Sequence, residues 1–188
     1  MSKKKKYVIL ISLAIVTIAT VSIRGYYKSQ YPYGRTHRCS KGLYFALLSY
    51  SEGHDGELPN SDDPSKLALT QLIGNGWVDQ DNLDLIVGKA GDLEAAEKFY
   101  ANHGYLKPER SSWHFVNGLN ENDRGMAIAW DKIPLDHNGR VSESREVIMV
   151  GRAVSNIPNS EWPAFLKKQA ELLDVKKLRE AHDNDPQE

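Results

Sequence analysis

The sequence predicts an α+β fold: an N-terminal transmembrane helix followed by a head whose helices pack on a small antiparallel sheet. Three observations support this prediction. An uncharged, mostly aliphatic run occupies residues 7–23, directly after four lysines. Apolar residues then recur at helical spacing as far as about residue 100, and at a spacing of two beyond Tyr105. A last apolar stripe at helical spacing follows, and this order of elements is typical of α+β proteins.

The run at residues 7–23 is predicted to be an uncleaved signal anchor. Its 17 residues form a helix of roughly 25 Å, a little short of a hydrocarbon core of about 30 Å. Tyr26 and Tyr27 extend it into the headgroup region. Lysines resist transfer across the bilayer, so residues 3–6 stay cytoplasmic and the rest is exported to the periplasmic side. The expected location is a single pass through the cytoplasmic membrane.

Two other interpretations of this run remain open. A cleaved signal peptide also begins with a basic region and an apolar core, although the core here is longer than usual and no Ala-x-Ala pair follows it. The second alternative is a buried helix of a soluble protein. The predicted organisation is residues 1–24 as cytoplasmic lysines and anchor, 25–35 as a tyrosine-rich stem, 36–175 as the exported head, and 176–188 as a charged, disordered tail.

Charge and cysteine content exclude several classes of protein. Leaving residues 3–6 out of the 24 basic residues gives 20 basic and 25 acidic residues, a net charge of −5. Nucleic-acid binding needs a basic surface, so no nucleic-acid partner is expected. The single cysteine, Cys39, rules out an internal disulfide framework. Cys39 is expected to be buried, free or paired with another chain, since a nucleophile needs a base and His37 points away at helical spacing.

The first half of the head reads as helical. Residues 36–51 have apolar residues at helical spacing on one face. Glu52 to Asn60 consists mostly of residues that favour turns. Asp63-Pro64 is a typical helix start. The second helix is expected to end at residues 74–76, residues 77–91 are ambiguous, and residues 92–100 form a short helix. The apolar positions of the first two helices are Leu43, Ala46, Leu47, Tyr50, Leu67, Leu69, Leu72 and Ile73.

The second half of the head reads as strands and a closing helix. Trp113 and Phe115 alternate around His114, and residues 126–130 and 146–150 are further β-type runs. Ser160 is predicted to cap the last helix. Its apolar stripe consists of Trp162, Phe165, Leu166, Gln169 or Ala170, and Leu173.

Several of these segments resemble a known family. Residues 39–59 (CSKGLYFALLSYSEGHDGELP), 112–119, 127–131 (AIAWD) and 137–140 (HNGR) are similar to segments of pseudopilin-like (type II secretion system G-like) membrane-anchored proteins of planctomycetes and verrucomicrobia. The strand at residues 146–150 and the helix with Glu161 and Trp162 fit the family's ending. The resemblance implies a pilin-like head on a membrane anchor and a non-enzymatic role.

The chain also departs from this family's pattern. The family's second cysteine, expected near residues 86–92, is absent, and Val150-Gly151 replaces an Asp-Gly pair. Lys6-Tyr7 is not a prepilin cleavage site, and no acidic residue precedes Glu52. We therefore expect a divergent member that stays in the bilayer.

Asp131, Asp136 and His137 are the nearest approach to a functional site. They are hard-ligand or acid/base groups on one loop, which suits a weak metal site or a catalytic group. The alternative is a polar hairpin loop that turns at Asn138-Gly139.

Three other groups invite a functional interpretation. Asn120, Asn122 and Asp123 suggest a calcium loop without its usual spacing, while His54 and Asp55 suggest a metal site or a self-capping turn. The four tryptophans are expected in the core, with an exposed carbohydrate-binding row as the alternative; they are Trp77, Trp113, Trp130 and Trp162.

The expected function is a structural or protein-interaction role in the cell envelope, as a secretion-related, pilus-related or surface protein. No catalytic residue or cofactor is expected, with calcium as the alternative. Expected partners are the lipid bilayer and either other envelope proteins or a second copy. The rival hypotheses are an anchored envelope enzyme that uses Asp131, Asp136 and His137, and a ligand-binding domain that uses the same loop or the tryptophans.

Overall fold

The computed structural model describes residues 3–30, 39–74, 76–79 and 83–183. Within these residues the helices and strands are, in chain order, α1 (Lys3–Gln30), α2 (Ser40–Glu52), α3 (Leu83–Val87), α4 (Leu93–His103), β1 (Trp113–Phe115), β2 (Ala127–Asp131), β3 (Ser144–Met149), β4 (Arg152–Pro158) and α5 (Trp162–Asp183). Short 3₁₀ helices occupy Ala68–Leu72 and Pro108–Arg110. The predicted α+β class is confirmed.

The four strands form one antiparallel sheet in the order β1-β2-β3-β4. In its centre Trp130 of β2 lies between His114 of β1 and Val147 of β3. Because side chains alternate along a strand, Trp130 and Val147 share one face, while Ala129 and Ile148 lie on the other. The predicted small antiparallel sheet is therefore present and has two buried faces.

The main core lies between α2 and the face that carries Ile148. Leu43 and Leu47 of α2 are fully buried and belong to the same apolar cluster as Ile128 and Ile148. Their spacing of four residues places both on one side of the helix. Burial of each such side chain stabilises the folded state by about 1.5–3 kcal/mol. Helix α2 is therefore held on the sheet by the face that the sequence predicts.

The opposite face of the sheet is covered by α5. Trp162 and Phe165 pack against the smaller apolar cluster that contains Trp130 and Val147. Further along α5, the buried side-chain oxygen of Gln169 accepts a hydrogen bond from the backbone N–H of Ala127 at 2.7 Å. This contact satisfies a polar group at the start of β2 and fixes the position of the helix along the sheet.

The large apolar side chains of the N-terminal helix α1 that the structure describes are exposed. They are between 59% and 66% exposed at Leu13, Ile15, Val16, Ile18, Val21 and Ile23. None of the helices in the described part of the chain is long and apolar enough to cross a membrane. Residues 25–30 of the predicted stem continue α1, whereas Pro32 and Gly34 lie outside the described residues.

The predicted helix start at Asp63-Pro64 is wrong. The Asp63 carboxylate accepts hydrogen bonds from the backbone N–H of Ser65 at 2.9 Å and from its hydroxyl at 2.6 Å. This local turn competes with helix formation, and the chain becomes helical only at Ala68–Leu72, as a 3₁₀ helix. Leu69 and Leu72 are nevertheless buried, as predicted.

The C-terminal boundaries also need correction. Helix α5 begins at Trp162, after Ser160, and it continues to Asp183, so most of the tail predicted from residue 176 is helical. Lys176 lies 3.1 Å from the Asp123 carboxylate, and this ion pair ties that part of the helix to the loop before β2. Residues 184–188 lie outside the described residues. β4 was not predicted, because its sequence RAVSNIP lacks regular alternation.

Candidate functional site

Four polar side chains from four segments meet inside the head. They are Ser40 at the start of α2, Lys89 in the turn after α3, Asp131 at the end of β2, and Glu146 in β3. The Lys89 Nζ atom lies 2.9 Å from Asp131 Oδ2 and 2.8 Å from Glu146 Oε2. The Ser40 hydroxyl donates a hydrogen bond to Glu146 Oε2. We call these four residues the Lys89 cluster.

The register of β2 and β3 brings the two carboxylates together. Trp130 is paired with Val147, so the next residues along, Asp131 and Glu146, lie opposite each other on the face covered by α2. Like charges directly opposite across an antiparallel pair are destabilising. The ammonium of Lys89 between them offsets this repulsion.

Gly88 lets the chain bring Lys89 to this position. Its φ is +77°, and a Cβ atom there would lie 2.3 Å from the Ser112 hydroxyl, so only glycine fits without strain. The same segment is fastened to the start of β1 by hydrogen bonds from Ser112 N–H to Val87 C=O at 2.7 Å and from the Trp113 indole to Leu85 C=O at 2.9 Å. The backbone around Lys89 is therefore fixed.

Burial dominates the electrostatics of the cluster. The side chains of Lys89 and Asp131 are 0% and 1% exposed, and that of Glu146 is 21% exposed. Burial raises the pKa of Asp131 to about 6, against the opposing effect of the Lys89 charge. Burial acts to lower the pKa of Lys89, but the Asp131 and Glu146 carboxylates outweigh it, and the pKa of Lys89 is raised. Lys89 is thus charged at neutral pH.

Chemically, this arrangement is an electrostatic crosslink. The ammonium joins β2 to β3 and to the turn after α3, and it also lies 3.5 Å from the backbone oxygen of Leu135. Through Ser40 the crosslink reaches the first turn of α2. A fully buried ammonium does not meet a substrate from solvent, so the cluster is suited to holding elements in position.

The structure separates the three residues of the predicted loop site. Asp131 belongs to the Lys89 cluster. Asp136 instead accepts hydrogen bonds within its own loop, from Asn138 N–H and from the N–H and Nε of Arg140, all at 2.8 Å. Although burial opposes it, these bonds lower the pKa of Asp136. His137 is exposed.

The other candidate metal sites are also engaged in local bonds. Asp123 Oδ2 accepts from Asn120 N–H at 2.9 Å and lies 3.1 Å from Lys176 Nζ. His54 stacks on Tyr50 with ring centroids 3.9 Å apart, in a turn where Asp55 has a φ of +52°. Within the described ranges, no group of three or more His, Cys, Asp or Glu side chains is placed to hold a metal ion.

The tryptophans and Cys39 occupy mostly packed positions. Trp113 and Trp130 are buried in the two apolar clusters, whereas Trp77 and Trp162 are half-buried. The core interpretation is therefore confirmed for the first two. Cys39 is a free, half-buried thiol immediately before α2, and the neighbouring His37 lies outside the described residues.

Sequence reasoning missed Ser40, Lys89 and Glu146. One signal was available, because Lys89 is the only charged residue in the apolar and glycine-rich run at residues 85–91. A lysine in such a run is almost never fully buried unless it is paired. Its partners, however, follow from the strand register and from the turn at Gly88, neither of which is visible in the spacing of apolar residues.

Comparisons with known proteins identify no relative. No model of a protein family matches the chain. Searches of curated proteins and of solved structures also give no match.

Proposed function

We propose that this protein is held at a membrane by α1 and presents residues 36–175 outside the cytoplasm, as a structural or protein-interaction head with a pseudopilin-like arrangement. The observation that carries the proposal is the exposure of the apolar side chains of α1. Isoleucine and valine side chains on a helix normally pack against a protein core, another helix or lipid. The lysines at residues 3–6 favour lipid, with the N-terminus in the cytoplasm.

The amino-acid sequence supports this anchor, although none of the described helices is long and apolar enough to cross a membrane. Residues 7–23 span roughly 25 Å as a helix. A span of this length is accommodated when the bilayer is locally thinner and the flanking side chains extend to the headgroups. Lysines that flank such a run can extend their long side chains to the headgroups. Tyr26 and Tyr27 are suited to the opposite interface, because aromatic rings with a polar group favour the headgroup level.

Two features of the head support a structural role. In its most unusual polar group, the Lys89 cluster, the Lys89 and Asp131 side chains are closed to solvent, and the cluster joins secondary-structure elements. The arrangement of α2 on a four-stranded antiparallel sheet agrees with the fold that the family resemblance implies. A substrate from solvent does not reach the buried ammonium, so a partner binds the outer surface of the head.

Alkaline extraction of membranes tests the anchor. The full chain is expected to remain in the membrane pellet at pH 11, because charge neutralisation releases peripheral proteins but not inserted helices. Ile15→Arg with Ile18→Arg is expected to lower the pelleted fraction severalfold, since each arginine near the centre of a span costs about 2.5–3.5 kcal/mol. Protease added from the periplasmic side is expected to digest the head in the wild type.

The matched control is Phe45→Arg with Leu48→Arg, which replaces two apolar residues at the same spacing in α2. Phe45 and Leu48 are 62% and 39% exposed, against 61% and 66% for Ile15 and Ile18. The control is expected to pellet like the wild type. Release of the wild type at pH 11, or equal release of the two double variants, contradicts membrane insertion of α1.

A further inference from the structure

We infer that the outer edge of β4 is a self-association surface, where a second copy of this chain adds its own β4 in antiparallel orientation. β4 is the last strand of the sheet, and at seven residues it is the longest of the four. The other edge strand, β1, has three residues. An edge strand presents unpaired backbone groups that pair readily with another strand.

The register shows which backbone groups point outward. Asn159 N–H donates to Glu143 C=O at 2.8 Å, so hydrogen-bonded pairs continue along β3 and β4 at every second position. Ile157 and Ser155 therefore bond to β3. The N–H and C=O groups of Val154 and Asn156 point away from β3, and among the described residues no strand or backbone group pairs with them.

The centre of this edge lacks the features that usually prevent pairing. Natural edges are blunted by charged side chains, by bulges or by proline. In β4 the four residues 154–157 carry no charge, and the register irregularity lies before Val154. Pro158 and Arg152 stand at the two ends of the strand and leave its centre available.

The centre of β4 is complementary to itself. With a twofold axis at Ser155, Val154 of one copy faces Asn156 of the other, and the two copies form about four backbone hydrogen bonds. The charged Arg152 of each copy faces the Pro158 end of the other, so like charges do not meet. Isologous contacts of this type are the commonest in homodimers. This self-complementarity is why we assign the edge to a second copy.

The layer beside this edge also leaves apolar surface uncovered. Helix α2 packs on β3 and β4 and exposes Phe45 and Leu48. Joining two β4 strands extends the sheet across both copies and sets the α2 layers next to one another. The pairing therefore combines main-chain hydrogen bonds with added apolar contact.

Disulfide trapping tests the register directly. In a Cys39→Ser background, Ser155→Cys is placed on the twofold axis, where facing Cα atoms of a non-hydrogen-bonded pair are about 4.5 Å apart, within the range that a disulfide spans. Mild oxidation of the full chain in detergent is expected to give a covalent dimer. Glu143→Cys in the same background, exposed but on the β3 side, is expected to form no covalent dimer.

The mass of the full chain in detergent gives a second test. Asn156→Pro removes one outward N–H without removing a bond to β3, and it is expected to convert a dimer to a monomer. Asn156→Ala keeps the N–H and is expected to stay dimeric. A monomeric wild type, a dimeric Asn156→Pro, or equal crosslinking of Ser155→Cys and Glu143→Cys overturns the inference. If Asn156→Pro does not fold, the crosslinking comparison alone decides.

Discussion

Replacing Lys89 with methionine is expected to lower the free energy of unfolding of the head by about 3–5 kcal/mol. Methionine keeps the length and apolar volume of the side chain but removes the charge. Asp131 and Glu146 then face each other without the ammonium between them, in a site that is almost closed to water. Breaking a buried ion pair in this way costs more than the pair itself contributes, because an uncompensated charge stays behind. Urea denaturation followed by circular dichroism measures the loss.

Two further variants separate charge from packing. Lys167→Met changes an exposed lysine on α5 and is expected to shift stability by no more than about 0.5 kcal/mol. Lys89→Met combined with Asp131→Leu and Glu146→Met removes every charge of the cluster, and it is expected to recover most of the lost stability. A loss below about 1 kcal/mol for Lys89→Met alone contradicts the assigned role of the cluster.

The periodic parts of the fold were predictable because their apolar residues are buried. The apolar spacing of α2 reflects packing on the sheet, and the short apolar runs of β1 to β3 reflect strands that contribute to the core, so these elements lie close to their predicted positions. β4 escaped prediction because it is held by backbone pairing with β3 more than by an apolar face. The prediction of a helix start at Asp63-Pro64 failed because a turn closed by the Asp63 side chain has the same sequence signature as a helix start.

Only one residue of the Lys89 cluster was predicted from the sequence as a candidate site residue. Asp131 was identified as a functional candidate, but it was grouped with Asp136 and His137 because those residues are close along the chain. The structure turns Asp131 inward from β2 to Lys89, a residue far away in sequence, while Asp136 closes its own loop. Contacts of that kind depend on strand register and on the positive φ of Gly88, which a single sequence does not specify.

The stability of the head is expected to depend on pH through Asp131. Its pKa is about 6 in the folded protein, against an ordinary value of 3.8, so the folded state holds the proton more tightly. The resulting stabilisation is fully present below pH 3.8 and is lost as the pH rises through about 6. Relative to Asp131→Asn, which does not titrate, the wild type is expected to gain about 2 kcal/mol between pH 7.5 and pH 4.5.

The difference between the two proteins isolates this effect from other groups. His114 has a lowered pKa, caused by burial and by the charge of Lys132, and its contribution changes with pH in the opposite sense. It is common to both proteins and cancels. The charged neighbours of Asp131 are Lys89, Glu146 and Arg145, and they also remain in both.

Asp136→Asn is the matched control for this measurement. The pKa of Asp136 is lowered, chiefly by the hydrogen bonds from Arg140 and Asn138 that outweigh burial, so its contribution is lost only as the pH falls below about 3.8. Its difference from the wild type is expected to stay flat between pH 4.5 and pH 7.5. A flat difference for Asp131→Asn as well would mean that Asp131 titrates as an ordinary carboxyl, which is incompatible with its burial beside Glu146.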